Sequence, residues 1–159
     1  MTQSPQLLKL LVDGGVDFVV VGGIAAIFHG AQLVTFDLDV CVRFDADTCG
    51  RLIRVLAPLD PRHRMRPDRL PLSPDPESIV GYRNLYVSCT LGIIDFLGEI
   101  TGVGSFDVIR PASVEGRIAD VPVRFMSLDQ LLASKRAMAR PKDLRVAQEL
   151  ELIRARRRT

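Results

Sequence analysis

The sequence predicts an α/β domain of the mixed, α+β kind, a central sheet flanked by helices and closed by two C-terminal helices. Three observations carry this. Stretches with helical apolar spacing alternate with short strand-like runs in the order helix, strand, helix, strand, helix, loop, strands, two helices. The 159 residues are 47% hydrophobic, enough for one core but too short for a complete doubly wound domain or a closed α/β barrel. Gly22-Gly23 joins an apolar run to a helical one, as a strand-to-helix turn requires.

Each element has a local reason. Ser4 and Pro5 suit a helix start, Leu7, Leu8 and Leu11 form one stripe, and Gly14-Gly15 stops it. Phe18–Val21 reads as a buried strand and Ile24–Phe28 as a short apolar helix ending near Gly30. Residues 34–43 alternate: Val34, Phe36, Leu38, Val40 and Val42 face one way, and Thr35, Asp37, Asp39, Cys41 and Arg43 the other. Asp45 or Asp47 caps a helix over Ala46–Leu56. Six of the ten prolines and Arg62, Arg64, Arg66 and Arg69 fall within 58–84, which predicts a long irregular loop. Strands follow over 85–90 and 92–97 around a turn at Leu91-Gly92, then over 106–109 and 121–125. An edge strand near Val121–Phe125 would offer a surface for self-association, although the sequence leaves the oligomeric state open. Ser127 and Gln130 form a capping-box pattern for a helix to about Met138. The last helix runs from Lys142 to about Arg156, and Arg156-Arg-Arg158 reads as a frayed, solvated end. The whole, 1–159, is expected to be one domain, with a core over about 5–126 and a helical part over about 127–156.

Composition excludes several classes. No apolar run approaches the roughly 18 residues a membrane span needs, and the N-terminus lacks a leader pattern, so the expected location is the cytoplasm. Cys41, Cys49 and Cys89 form no Cys-x-x-Cys, and two histidines are too few for a His-rich metal centre. Charge is uneven. Residues 110–159 hold 12 basic and 6 acidic side chains, while each of 1–59 and 60–109 carries a net −2. The basic third suits either a solvated helix face or a polyanionic partner such as RNA.

Chemistry centres on acids. Alternation places the Asp37 and Asp39 carboxylates on one face of a strand, near enough to share one divalent ion or two. Like charges held this close need a cation or a shifted pKa, and hard oxygens suit Mg²⁺ or Mn²⁺. A solvent-facing acidic sheet is the plain alternative. Asp95 lies inside the apolar run Ile93–Leu97 and needs a partner there: an Arg, backbone amides, or a site shared with Asp37 and Asp39. Glu99 and Asp107 are weaker candidates for a third acid. Backbone N–H groups at Gly22 and Gly23 are placed to meet an anion, with no Cβ in the way.

The run Val20–Gly30, with its Gly22-Gly23, followed by Thr35-Phe-Asp-Leu-Asp39 and then Asp95, resembles the core motif of the DNA polymerase β-like nucleotidyltransferase superfamily. Lys135…Arg140-Pro-Lys142-Asp143 resembles the helical motif of its small single-domain, AbiEii-like members, which occur in toxin–antitoxin and phage-defence systems. The resemblance covers about 17–43, 85–97 and 127–153. It implies the polymerase β-like fold and transfer of a nucleoside monophosphate from an NTP to an acceptor hydroxyl on an RNA end such as tRNA, a protein or a small molecule. It implies Asp37, Asp39 and Asp95 as metal-binding catalytic acids, with Asp95 also activating the hydroxyl. Gly22, Gly23, Lys135 and Lys142 would meet phosphate, and Thr35 would orient a carboxylate. A cognate toxin or antitoxin is an implied partner. One position departs from the pattern: Leu33 stands where related sequences often carry Arg, with the Arg-rich loop or Lys135 as a substitute charge. The alternative is a nucleotidyltransferase-like chain with weak or lost catalysis that binds a partner.

Overall fold

The computed structural model describes residues 3–158; residues 1, 2 and 159 of the expected domain lie outside them. Six α-helices are described: α1 (Ser4–Asp13), α2 (Gly22–Phe28), α3 (Ala46–Leu56), α4 (Phe106–Ala112), α5 (Leu128–Met138) and α6 (Pro141–Arg157). The main sheet contains β1 (Val19–Val21), β2 (Leu38–Cys41), β3 (Arg62–His63), β4 (Asn84–Cys89), β5 (Gly92–Leu97), β8 (Val114–Ile118) and β9 (Val121–Phe125). A small hairpin pairs β6 (Glu99–Ile100) with β7 (Gly104–Ser105). The sheet order is β3-β4-β5-β2-β1-β9-β8. It is mixed: β2–β5 and β1–β9 are parallel, and the other neighbours are antiparallel. The expected α/β architecture is therefore present, with α5 packed along α6 at the C-terminal end.

The apolar row Val20–Val40–Phe96–Leu85 crosses four strands in register and is fully buried. It is the centre of the core. The caps follow their chemistry. The Asp45 carboxylate accepts from the Thr48 amide at 2.8 Å, and the Ser127 hydroxyl accepts from the Gln130 amide at 3.2 Å. Only half of the capping box closes, because the Gln130 side chain donates to the Val108 carbonyl instead. Cys41 and Cys49 are buried free thiols, and burial pushes Cys41 up to about 12.

Five expectations are corrected. The strand expected over 34–43 is limited to Leu38–Cys41, and Val34 and Phe36 are 81% and 64% exposed rather than core. Phe106–Ile109 is helical: Phe106 and Ile109 are the buried pair, a spacing of three that a helix places on one face. Val121–Phe125 is no edge, because it lies between β1 and β8; the strand Val114–Ile118 that covers it was not expected. The loop over 58–84 is pinned, with β3 and two 3₁₀ turns at Ala57–Leu59 and Pro76–Ser78, and Ile79 is buried. The C-terminal tail is not frayed. Arg157 donates to the His29 carbonyl at 3.1 Å and its Nη1 lies 3.2 Å from His29 Nδ1, while His29 Nε2 donates to the Met126 carbonyl at 2.8 Å.

Candidate active site

The acids meet because the sheet brings them into register. Val21 pairs with Asp39, Asp39 with Asp95, and Asp95 with Tyr86. Paired residues of neighbouring strands point to the same face, so Asp39, Asp95 and Tyr86 form one row on the side opposite the apolar row. His63 pairs with Val87, and the next residue, Arg64, donates its amide to the Tyr86 carbonyl at 3.0 Å. Arg64 therefore continues the row. Asp37 lies just before β2, outside the strand, and joins the group from the chain that enters it.

A cavity of about 520 Å³ opens over this row. It is lined by Gly22, Gly23, Thr35, Asp37 and Asp39 and by Lys135, Arg140, Lys142 and Asp143 from α5, α6 and the link between them. Leu33, Glu99 and Tyr86 also line it. Glu99 pairs with Arg83 at 3.2 Å, and Asp107 pairs with Arg43 elsewhere. Asp95 does not line the cavity. It is 6% exposed, beneath Arg64, whose Nε and Nη2 donate to its two oxygens at 3.3 and 2.5 Å. The guanidinium also lies over the Tyr86 ring, 5.6 Å from its centroid.

The two glycines are required by what they touch. Gly22 has φ +65°, and a Cβ there would sit 2.4 Å from Asp39 Oδ2. A Cβ on Gly23 would sit 3.0 Å from Thr35 Cβ. The turn is thus pressed against the acidic wall. The Thr35 hydroxyl donates to the main-chain carbonyl of Asp37 at 3.4 Å, so it holds the backbone at Asp37 rather than a carboxylate.

Electrostatics single out Asp39. Burial, followed by the charges of Asp95 and Asp37, raises its carboxyl to about 7, with Lys135 and Arg64 opposing. Asp95 is also raised, by burial above all, against the pull of Arg64. At the α5–α6 part of the lining Asp143 is buried, 1% exposed, between Arg140 (2.5 and 3.2 Å) and Lys135 (3.6 Å). Burial alone would raise its carboxyl, but Arg140 and the Lys135 charge outweigh it and hold it below the usual carboxylate range. Asp143 fixes these two basic side chains at the cavity, a role for which Lys135…Asp143 was the only sequence signal.

The donor chemistry of Asp37 and Asp39 fits a hard divalent cation: two carboxylates in one cleft, one of them pushed up by burial and then by its neighbours' charge. Asp95 fits less well, because both its oxygens already accept from Arg64. Among the described residues no three His, Cys, Asp or Glu side chains are grouped to hold one ion. No helix among them is long and apolar enough to cross a membrane.

No protein-family model matches the sequence, and no curated protein matches it closely. Solved structures do match. The lincosamide antibiotic adenylyltransferase LnuA, bound to lincomycin, aligns with a TM-score of 0.62 at 16% identity, over 96% of this chain and 98% of its own. ANT(2")-Ia in complex with adenylyl-2"-tobramycin aligns with a TM-score of 0.57 at 16% identity, over 96% and 92%. The solution structure of ANT(2'')-Ia aligns with 0.59 at 15%, over 96% and 88%. Similarity at this identity reports architecture, and over nearly the whole length of both partners the chain has the fold of these nucleotidyltransferases.

Proposed function

We propose that the chain is a nucleotidyltransferase that moves a nucleoside monophosphate from an NTP to a hydroxyl of a small molecule, and that residues 1–159 act as one unit. One observation carries the reading: a single cleft lined by both Asp37 and Asp39 and by Lys135, Arg140 and Lys142. Such a cleft matches a polyphosphate that carries a cation. The small-molecule acceptor is supported by the structural neighbours, whose bound ligands are an antibiotic and an adenylylated antibiotic. Val34 and Met138 add apolar surface to the same cleft, where an acceptor's carbon skeleton can lie.

Asp37 and Asp39 would hold Mg²⁺ or Mn²⁺, which when bound supplies Lewis-acid polarisation of phosphate oxygens. The chain's own groups do the rest. Main-chain N–H groups at Gly22 and Gly23 bind phosphate oxygens on the acidic side, and Lys135 and Lys142 bind them on the basic side. The acceptor oxygen attacks the α-phosphorus, the bond to the β-bridging oxygen breaks, and pyrophosphate leaves. The hydroxyl proton leaves to a carboxylate of the cleft; Asp95, whose two oxygens accept from Arg64 and which does not line the cavity, is not placed to take it.

The test is transfer from α-labelled NTPs to a library of hydroxylated small molecules, with total RNA and cell lysate as further acceptors. Label should pass to a small molecule and fall at least 100-fold with Asp39→Asn. Equal transfer by wild type and variant would refute the assignment. Label in RNA would return the acceptor to a tRNA end. Label on one lysate protein would favour a toxin–antitoxin pair, for which only the Lys135…Asp143 motif speaks. A second reading, a partner-binding chain without turnover, is favoured by Leu33 in place of an Arg and by Arg64 engaging Asp95. NTP binding with no transfer to any acceptor would select it.

A further inference from the structure

We infer that Arg64 is the built-in counter-cation of the third acid, so that the site takes a single divalent ion on Asp37 and Asp39 and leaves Asp95 to the guanidinium. This rests on the nucleotidyltransferase reading above. Three observations place Arg64 as part of the site rather than as a passing surface contact. It is bidentate to Asp95, at 3.3 and 2.5 Å, with Asp95 all but sealed from solvent. Its side chain is itself only 22% exposed and lies along the Tyr86 ring. Its backbone is bonded to Tyr86 across the β3–β4 edge, so its origin is fixed by sheet register.

The electrostatic consequence is direct. Two carboxylates in one row with a third beside them cannot all ionise without cations. Arg64 cancels Asp95 permanently and, with no acceptor atoms of its own, cannot also ligate a metal. Asp37 and Asp39 then remain as the pair that a divalent ion must neutralise. A fork of N–H donors suits this task better than an ammonium, because it occupies both carboxylate oxygens at once.

The experiment is Mn²⁺ titration of the nucleotide-free protein, followed by electron paramagnetic resonance, with thermal unfolding to verify folding of each variant. Wild type should bind one ion. Asp39→Asn should weaken it at least 30-fold, and Asp95→Asn should leave affinity within about threefold. Arg64→Gln should free Asp95 and either tighten Mn²⁺ at least tenfold or add a second ion, and Arg64→Lys should fall between. If Asp95→Asn weakens Mn²⁺ as much as Asp39→Asn does, Asp95 is a metal ligand and the inference is overturned while the nucleotidyltransferase reading stands. If Arg64→Gln, folded by unfolding criteria, changes neither affinity nor stoichiometry, the inference is likewise overturned. If wild type and all variants bind no Mn²⁺, the metal-dependent reading itself fails, and with it the inference.

Discussion

Asp39 carries a conflict between stability and use. Its carboxyl, raised to about 7, favours the protonated folded state, so its contribution to stability is full below the unfolded value near 4 and is lost as pH rises through 7. In metal-free protein, Asp39→Asn should therefore stabilise by about 2 kcal/mol at pH 8 and by little at pH 4. Urea unfolding at the two pH values measures this, and an equal effect at both would contradict it. Asp143 is the opposite case: a buried acid held charged by two bases. Asp143→Asn should cost about 2 kcal/mol and raise KM for the NTP by loosening Lys135. Urea midpoints and initial rates would show the pair of effects. A loss of stability with KM unchanged would mean that Lys135 is held by other means.

At the level of elements, Gly116 explains why β8 escaped the sequence. Val114-Glu-Gly-Arg-Ile118 has two charges and a glycine in five residues, which reads as a turn. The glycine is there because Phe28 and Phe125 stack beneath it with centroids 3.8 Å apart; a Cβ would lie 2.5 Å from the Phe28 ring. Gly116→Ala should destabilise by about 2 kcal/mol by prising β8 from this pair, measurable as a lowered Tm. A Tm unchanged within a degree would mean that the rings yield freely. Other elements were legible because their signals are local. Asp45 and Ser127 cap where their side chains reach, Pro141 begins a helix, and the β4–β5 pair alternates around its turn. Phe106–Ile109 was misread because four residues fit both a strand and one turn of helix. The acids Asp37, Asp39 and Asp95 could be picked out by type and spacing. Arg64 could not be assigned to Asp95, because that contact depends on strand order.

Over the whole molecule, the C-terminal helix is tied to the chain before the sheet's second strand. His29 receives Arg157 on one ring nitrogen and donates from the other to Met126, which requires a neutral ring. Burial, aided by the Arg157 charge and opposed by the Met126 bond, lowers its pKa. The sign follows: the unfolded chain takes up the proton first, so stability is full above about 6.5 and falls as pH drops through that value. His63, also lowered by burial, adds in the same direction. Asp39 works the other way over this range, so His29→Gln is compared with wild type in denaturation between pH 7.5 and 5: as pH drops, the variant's stability should fall less steeply, or rise more steeply, than that of wild type. An unchanged slope would show that the ring is not the titrating group.

The two-residue strand just before Arg64 has a consequence for how such a sequence can drift. Successive residues of a strand emerge on alternate sides, so one residue inserted or deleted between Asp60 and Arg64 would send the guanidinium through to the apolar side of the sheet. Descendant sequences are thus free to exchange the exposed side chains of the proline-rich stretch beyond it, though not the buried Leu72 and Ile79, but they must keep count of the few residues before it.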